Sequence, residues 1–267
     1  MFNSDLPIKG VEEDALNRSE FAKCLANTLL NHTSREGFVI GLYGKWGSGK
    51  TSVLNMIQKE IERESKNISE NPIVLRFNPW LCSNPNQLVS QFFTQLSSEI
   101  KNIPDLNDLY GLVDEYSDAL ELLPVIPIVG TSLSVISKIL VKKSHKRKNN
   151  GRDLQKIKNK LNDIIDKKKR KIIVMIDDVD RLSNEEIISV FQLVKTIADF
   201  PYAVYLLAFD REIIINALRE VQKGDGAEYL EKIVQVPFEL PEPESEDVHR
   251  IFKERLESII DDSDLKK

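Results

Sequence analysis

Residues 44–51 read GKWGSGKT, and their types and spacing suit the binding of a polyphosphate. The glycines allow the backbone to curl so that successive N–H groups point at phosphate oxygens. Lys50 supplies a positive charge for the β- and γ-phosphates, and the Thr51 hydroxyl is a ligand for Mg²⁺. A helical pattern begins at the end of the loop, so its positive N-terminus adds to the anion site. This pattern predicts binding of a nucleoside triphosphate together with magnesium.

Every residue of this loop, and the one after it, is a candidate for contact with the nucleotide. Two of them, Lys45 and Trp46, occupy positions that the motif leaves free. Trp46 either covers the nucleotide or packs the loop, and packing is the favoured interpretation. The candidate nucleotide-binding residues of the loop are Gly44, Lys45, Trp46, Gly47, Ser48, Gly49, Lys50, Thr51 and Ser52.

Two carboxylates, Asp177 and Asp178, directly follow an apolar run at 172–176. Open α/β sheets bind ligands at the carboxyl ends of their strands. Asp177 is therefore predicted to hold Mg²⁺ together with Thr51. Asp178 is predicted to orient or deprotonate an attacking water. Aspartate clusters also end strands as solvated turns, but the phosphate loop makes the catalytic interpretation the better one.

Asp180 and Arg181 follow this pair, and the sequence leaves their role open between capping the next helix and contacting another subunit. The predicted catalytic residues are Lys50, Asp177 and Asp178, and the predicted metal ligands are Thr51 and Asp177.

Alternating strand and helix patterns are expected to position these residues. Five apolar runs predict buried strands, at 37–43, 72–77, 172–176, 202–209 and 233–238. Amphipathic patterns predict helices at 51–63, 88–100, 183–198, 211–222 and 246–260, the third opened by the capping box of Ser183 and Glu186. This alternation predicts an α/β fold with a doubly wound, mostly parallel sheet, as in P-loop NTPases.

The segment 103–170 interrupts this rhythm, so the sequence predicts four parts. Two halves of a nucleotide-binding core lie at 1–102 and 171–243, and the segment between them is a helical, partly basic insertion. Residues 244–267 start a helical C-terminal region. A single amphipathic helix needs a surface to pack on, so we expect it to fold back or to belong to a longer protein.

The composition is that of a globular domain with a large core, since 41% of the 267 residues are hydrophobic and 30% are charged. The formal net charge is −5, but residues 142–171 contain fourteen Lys and Arg against three Asp. A uniformly basic nucleic-acid-binding protein is therefore excluded. Two distant cysteines provide neither a disulfide framework nor a zinc site. With no signal-peptide pattern, we expect a cytoplasmic protein, with membrane association as the alternative.

The uncharged run at 122–137 is too short for a bilayer, which needs roughly 20 apolar residues. It contains two prolines, and one crossing would put the two halves of the core on opposite sides of a membrane. We therefore expect a buried or partner-facing helix, with contact to a membrane surface as the lesser alternative.

The basic run at 142–152 suits phosphates of nucleic acid or of acidic lipids, but a solvated charged face is the more common meaning of such runs. Between Lys142 and Lys171 there is no aromatic residue to stack a base.

Further segments complete a resemblance to a known family. The segments GLYGKWGSGKTSVL, VLRFNPW, IVMIDDVDRL, VYLLAFDRE and KIVQVPFELP together resemble the KAP family of P-loop NTPases. This resemblance implies an additional-strand fold related to the STAND and AAA+ lineage, and ATP as the nucleotide. It also implies that Asp210 or Arg211 senses the γ-phosphate and that Asp14 and Arg18 approach the nucleoside. Family members act in membrane complexes or in bacterial defence against phage and plasmids.

Two departures from the family pattern are visible, since the insertion is short and the helical region after the last strand is nearly absent. The predicted function is an ATPase that acts as a switch or motor, with a second subunit or a protein partner. Candidates for an arginine supplied by a neighbour are Arg181, Arg211 and Arg219. The alternative is a nucleotide-dependent binding module with little turnover, and a small-molecule kinase is disfavoured.

Overall fold

A computed structural model describes residues 6–66, 71–82, 85–101, 103–121, 150–222 and 224–264. The strands are β1 (Phe38–Tyr43), β2 (Ile73–Phe77), β3 (Ile172–Ile176), β4 (Ala203–Phe209) and β5 (Val236–Glu239). The helices are α1 (Ser19–Asn31), α2 (Lys50–Ser65), α3 (Pro85–Lys101), α4 (Asn107–Glu121), α5 (Asn150–Lys168), α6 (Asn184–Gln192), α7 (Arg211–Gln222), α8 (Gly226–Glu231) and α9 (Ser245–Asp264).

The five strands form one sheet in the order β2-β3-β4-β1-β5, and every pair is parallel. Strand β4 lies between the strand before the phosphate loop and the strand before Asp177. This confirms the predicted doubly wound α/β fold and the additional strand that the resemblance implies. Because all strands run the same way, their carboxyl ends meet along one edge.

The strands alternate their side chains between two cores, as the pleat of a strand requires. On one face, Ile40, Met175 and Leu206 pack with α1 and α2. On the other face, Val174 and Tyr205 pack in a larger cluster that includes α3 to α8. The two covered faces explain why β3 and β4 are apolar throughout.

Both described helices of the segment 103–170 belong to this larger core. Apolar residues of α4 and α5, including Val113 and Leu161, are buried in the same cluster as the strands. The buried face of α5 consists of Leu154, Ile157, Leu161 and Ile165, as expected for a helical insertion that packs on the core. The run at 122–137 and most of the basic run lie outside the described residues. No helix among the described residues is long and apolar enough to cross a membrane.

Two of the element boundaries that differ from prediction are those of the last strand and of the helix after β3. The last strand begins at Val236, because Ile233 and Val234 belong to the turn that leads into it. The helix after β3 ends at Gln192 and continues as a π-helical turn, Leu193–Ile197. The capping box at its start is confirmed, since Ser183 and Glu186 each accept the backbone N–H of the other.

Candidate functional site

The phosphate loop joins β1 to α2 and has the geometry of an anion cradle. Gly47 and Gly49 have φ values of +76° and +94°, in the left-handed region where glycine is favoured. A Cβ atom on Gly44 would lie 2.6 Å from Ser48 Oγ. Gly49, the N-cap residue of α2, has no side chain to cap the helix and so leaves its first N–H groups open for an anion.

Two loop side chains fit a phosphate ligand in different ways. The Ser48 hydroxyl oxygen is buried and has no hydrogen-bond partner within the described residues. Lys50, which is 8% exposed, donates from Nζ to the carbonyl oxygens of Gly44 at 2.9 Å and Lys45 at 3.3 Å. Both observations fit a loop that binds phosphate oxygens, although the phosphate contacts themselves stay predictions.

Two further candidates at the loop, Trp46 and Ser52, differ in their surroundings. Trp46 is 76% exposed, so the expectation that it packs the loop is wrong, and its contact with a nucleotide stays a prediction. Ser52 faces the N-terminal lead-in, the segment 6–18 that precedes α1. Its hydroxyl accepts the backbone N–H of Ile8 at 3.3 Å.

The predicted metal ligands are in contact. The side chains of Thr51 and Asp177 form a hydrogen bond, and Asp177 is 2% exposed. Burial raises the pKa of Asp177, and the nearby Arg76 guanidinium opposes this rise. A Mg²⁺ ion is usually held in proteins by one or two such ligands plus substrate phosphates. The pair therefore fits magnesium delivered with a nucleotide. Within the described ranges, no group of three or more His, Cys, Asp or Glu residues is placed so that it could hold a metal ion.

Asp177 is held by a series of hydrogen-bonded side chains from β2 and α2. Arg76 on β2 donates to Asp177 Oδ2 at 2.9 Å and to Asn55 Oδ1 on α2 at 2.7 Å. Asn55 in turn donates to the carbonyl oxygen of Ile8 at 2.6 Å. The arginine fixes the carboxylate beside Thr51. A charged residue in the otherwise apolar strand VLRF is the signal by which sequence reasoning could have found it.

Asp178 lies beside the predicted magnesium ligand in a left-handed conformation, with φ of +57°. Its Oδ2 accepts a hydrogen bond from the Asn78 amide at 2.9 Å, and its Oδ1 pairs with Arg181 Nε at 2.7 Å. The turn directs the carboxylate toward the end of β2, where Asn78 is located. Asn78 was not singled out from the sequence, since its role depends on β2 being next to β3.

Asp180 does not cap the following helix, because Ser183 does. Its Oδ2 instead lies 3.2 Å from Lys50 Nζ and accepts the backbone N–H of Asp210 at 3.1 Å. The Asp210 side chain accepts the backbone N–H of Glu212, so Asp210 caps the start of α7. Asp210 therefore lies at the edge of the site through its backbone, and its predicted sensing of the γ-phosphate stays a prediction.

The two lead-in candidates have structural partners. Asp14 accepts the N–H groups of Ser19 at 2.7 Å and Leu16 at 3.2 Å, at the start of α1. Arg18 is 4% exposed and donates to the carbonyl oxygens of Ser48 at 2.5 Å and Pro241 at 2.6 Å. Burial lowers the pKa of Arg18, and nearby Asp14 opposes this. Arg18 thus fixes the backbone of the phosphate loop.

Candidate arginines for a neighbouring site lie in two places. Arg181 contacts Asp178 of its own chain, whereas Arg211 and Arg219 are exposed on α7. An exposed position is open to another subunit, but which site each arginine serves stays a prediction.

This chain is similar to known proteins in sequence and in structure. A phage T7 exclusion protein from Escherichia coli (strain K12) is 28% identical over 276 residues, which cover 96% of this chain and 37% of that protein. The Aeropyrum pernix ORC2 protein, solved in ADPNP and ADP complexes, matches with a TM-score of 0.46 and 16% identity. That match covers 90% of this chain and 52% of the ORC2 chain. The Aeropyrum pernix ORC1 protein in complex with DNA matches with a TM-score of 0.45 and 12% identity. That match covers 91% of this chain and 50% of the ORC1 chain.

This chain thus spans little more than a third of the length of that curated relative and about half of those solved chains. The model of the KAP family P-loop domain matches residues 18–267. That range contains the phosphate loop, the aspartates after β3 and the whole parallel sheet. The chain belongs to the KAP family of P-loop domains.

Proposed function

We propose that this chain binds ATP with Mg²⁺ and hydrolyses it, as a nucleotide-driven switch or motor. The observation that supports the proposal is that Thr51, Asp177 and Asp178 meet at one edge of the sheet, where Lys50 pairs with Asp180 of the same turn. The loop N–H groups and Lys50 hold the phosphates, and Thr51 and Asp177 hold the ion. A bound Mg²⁺ supplies charge neutralisation to the phosphates, which is most of what phosphoryl transfer requires.

Asp178 has the role of orienting and accepting a proton from the attacking water. Its carboxylate is held on one side by the Asn78 amide and on the other by Arg181, so its direction is set before a water arrives. A carboxylate with remaining lone pairs can still accept from that water. Placement of this kind contributes about 10²–10⁴-fold in rate.

The test is the steady-state rate of ATP hydrolysis against protein concentration, compared with Lys50→Ala and Asp178→Asn. We expect magnesium-dependent turnover that both variants lose, while Asp178→Asn still binds nucleotide. A rate that rises more than linearly with concentration supports a homo-oligomer that shares an arginine between sites. Tight binding with no more turnover than Asp178→Asn would instead favour a nucleotide-dependent binding module.

A second candidate role, in defence against phage, is favoured by the similarity to the T7 exclusion protein over 96% of this chain. The test is the efficiency of plating of phage T7 on a sensitive host that expresses the chain or its Lys50→Ala variant. We expect the chain to reduce plating and the variant to leave it unchanged. Equal plating on both strains would contradict this role for the chain. The basic segment's binding to nucleic acid or to a membrane surface stays a prediction.

A further inference from the structure

The buried ion pair between Asp180 and Lys50 is not used by the hydrolysis described above. The side chains are 3% and 9% exposed, and Asp180 Oδ2 lies 3.2 Å from Lys50 Nζ. The same oxygen accepts the Asp210 N–H at 3.1 Å, at the start of α7. One carboxylate oxygen therefore joins the phosphate loop to the end of β4.

All three donors of Lys50 are occupied in this arrangement. A lysine ammonium has three N–H donors, and they meet the carbonyl oxygens of Gly44 and Lys45 and the carboxylate of Asp180. A phosphate oxygen that binds Lys50 must therefore displace one of these acceptors. If the carbonyl of Lys45 left, a phosphate and Asp180 would face each other around one ammonium. Displacement of Asp180 exchanges one anion for another and avoids that repulsion.

We propose that Asp180 is a positioning residue that holds Lys50 until a nucleotide phosphate replaces it, and that passes this exchange to α7 through the Asp210 N–H. The inference rests on the nucleotide binding proposed above. In the nucleotide-free protein Asp180 neutralises Lys50 and competes with the ligand. Once Lys50 has moved to a phosphate, the Asp180 carboxylate loses one of its two donors, so its contact with Asp210 changes. The hydrogen bonding at the start of α7 thereby depends on whether the phosphate loop holds a nucleotide.

The first test is the affinity for MgADP of wild type, Asp180→Asn and the matched control Asp163→Asn, whose carboxylate is exposed on α5. Removing the competing charge is expected to tighten MgADP binding about tenfold in Asp180→Asn. The same variant should unfold at a lower temperature without ligand, because buried Lys50 loses its counter-ion. AMP affinity should change less than about twofold, since Lys50 reaches the β- and γ-phosphates. Asp163→Asn should match wild type in every assay.

A gain in affinity combined with a loss of stability is a result that a merely structural role would not give. Equal or weaker MgADP binding by Asp180→Asn would overturn the inference, as would an equal gain for AMP. Asp180→Ser, which shortens the side chain, provides a second measurement if Asp180→Asn does not fold. If wild type binds no nucleotide, the proposed function fails first. If wild type binds and Asp180→Asn gains nothing, only this inference fails.

The second test is hydrogen exchange of the segment 207–215, with and without MgADP. In wild type, MgADP should change exchange at the start of α7. In Asp180→Ala this change should vanish, while protection of the phosphate loop by MgADP remains. A nucleotide-dependent change in α7 that persists without the Asp180 carboxylate would overturn the relay.

Discussion

The carboxylate of Asp178 has its direction fixed by two neighbours rather than by its own backbone alone. Asn78 and Arg181 donate to different oxygens of Asp178, at 2.9 Å and 2.7 Å. The side-chain oxygen Oδ1 of Asn78 also accepts the backbone N–H of Trp80, so the side-chain amide cannot rotate without losing a bond. At the scale of single residues, substitution of Asn78 is therefore the most direct test of the role of Asp178.

Asn78→Asp places a second carboxylate at hydrogen-bond distance from Asp178 Oδ2. Two close carboxylates repel, and one of them tends to take up a proton, which removes a base from the site. We expect hydrolysis to fall by at least about tenfold, with MgADP affinity changed less than about threefold. Steady-state kinetics and calorimetric titration measure the two quantities. Asn107→Asp, the same exchange at the exposed start of α4, serves as the control, and unchanged turnover in Asn78→Asp would contradict the proposed role of Asp178.

At the scale of elements, the phosphate loop offers a matched pair of glycines. Gly47 and Gly49 both have positive φ, but they differ in their surroundings. A Cβ on Gly47 meets nothing within 4 Å, whereas a Cβ on Gly49 lies 2.9 Å from Arg18 Nη1. Arg18 is the residue that ties the loop to the strand-end segment at Pro241.

Gly47→Ala should therefore cost only the left-handed conformation, about 1–2 kcal/mol of unfolding free energy. Gly49→Ala should cost more, because it also displaces Arg18 from the carbonyl oxygen of Ser48. Urea unfolding of both variants measures the difference. Equal losses of stability would show that Arg18 shifts without cost and would contradict its role as a clamp on the loop.

The contact of α5 with the π-helical turn includes a partly buried lysine. Lys158 Nζ donates to the carbonyl oxygen of Thr196 at 2.5 Å. Burial lowers the pKa of Lys158, and Asp199 partly opposes this effect. Folded Lys158 therefore loses its proton at a lower pH than in the unfolded chain. Between these two pH values the unfolded state binds more protons, so the unfolding free energy rises with pH.

We expect wild type to gain stability relative to Lys158→Met as the pH rises toward the ordinary lysine pKa of about 10.4. Urea unfolding at several pH values in this range gives the difference between the two proteins. Lys156→Met is the control, since Lys156 is exposed on the same helix and should show a constant difference from wild type. A difference for Lys158→Met that also stays constant with pH would mean that the ammonium is solvated.

For the whole molecule, local patterns predicted the strands, the phosphate loop and the acidic pair, because each depends on a short run of residues. The contacts of Arg76, Asn78 and Asp180 could not be predicted in the same way. They depend on which strands are neighbours, and β2, β3 and β4 are separated along the chain by helices and by the segment 103–170. The exposure of Trp46 was missed because the motif gives no information about what surrounds the loop tip.

The C-terminal helix shows the same limit. Its periodicity predicted one apolar face. The structure attaches its first turn to the N-terminal lead-in, because Asp247 accepts a hydrogen bond from Asn17 at 2.7 Å. Within the helix, Asp247 also accepts from Arg250 at 2.6 Å. Of the two alternatives for this helix, folding back describes its first turn, and whether it belongs to a longer protein stays a prediction. Farther along, Phe252 and Leu256 are 66% and 45% exposed. Polar contacts hold the start of the helix, and its apolar stripe faces outward within the described part of the chain.

The exposed stripe on α9 leads to a prediction about the protein in solution. Phe252→Ser combined with Leu256→Ser removes apolar surface that packs on little, so the unfolding free energy should change by less than about 0.5 kcal/mol. Binding of the dye ANS to the native protein should fall, since an exposed apolar patch is its target. Ala26→Ser, a polar exchange in the buried face of α1, should instead lower stability and leave ANS binding to the folded protein unchanged. A large loss of stability in the α9 double variant would mean that the stripe is covered in solution, and sedimentation velocity would show whether a second copy covers it.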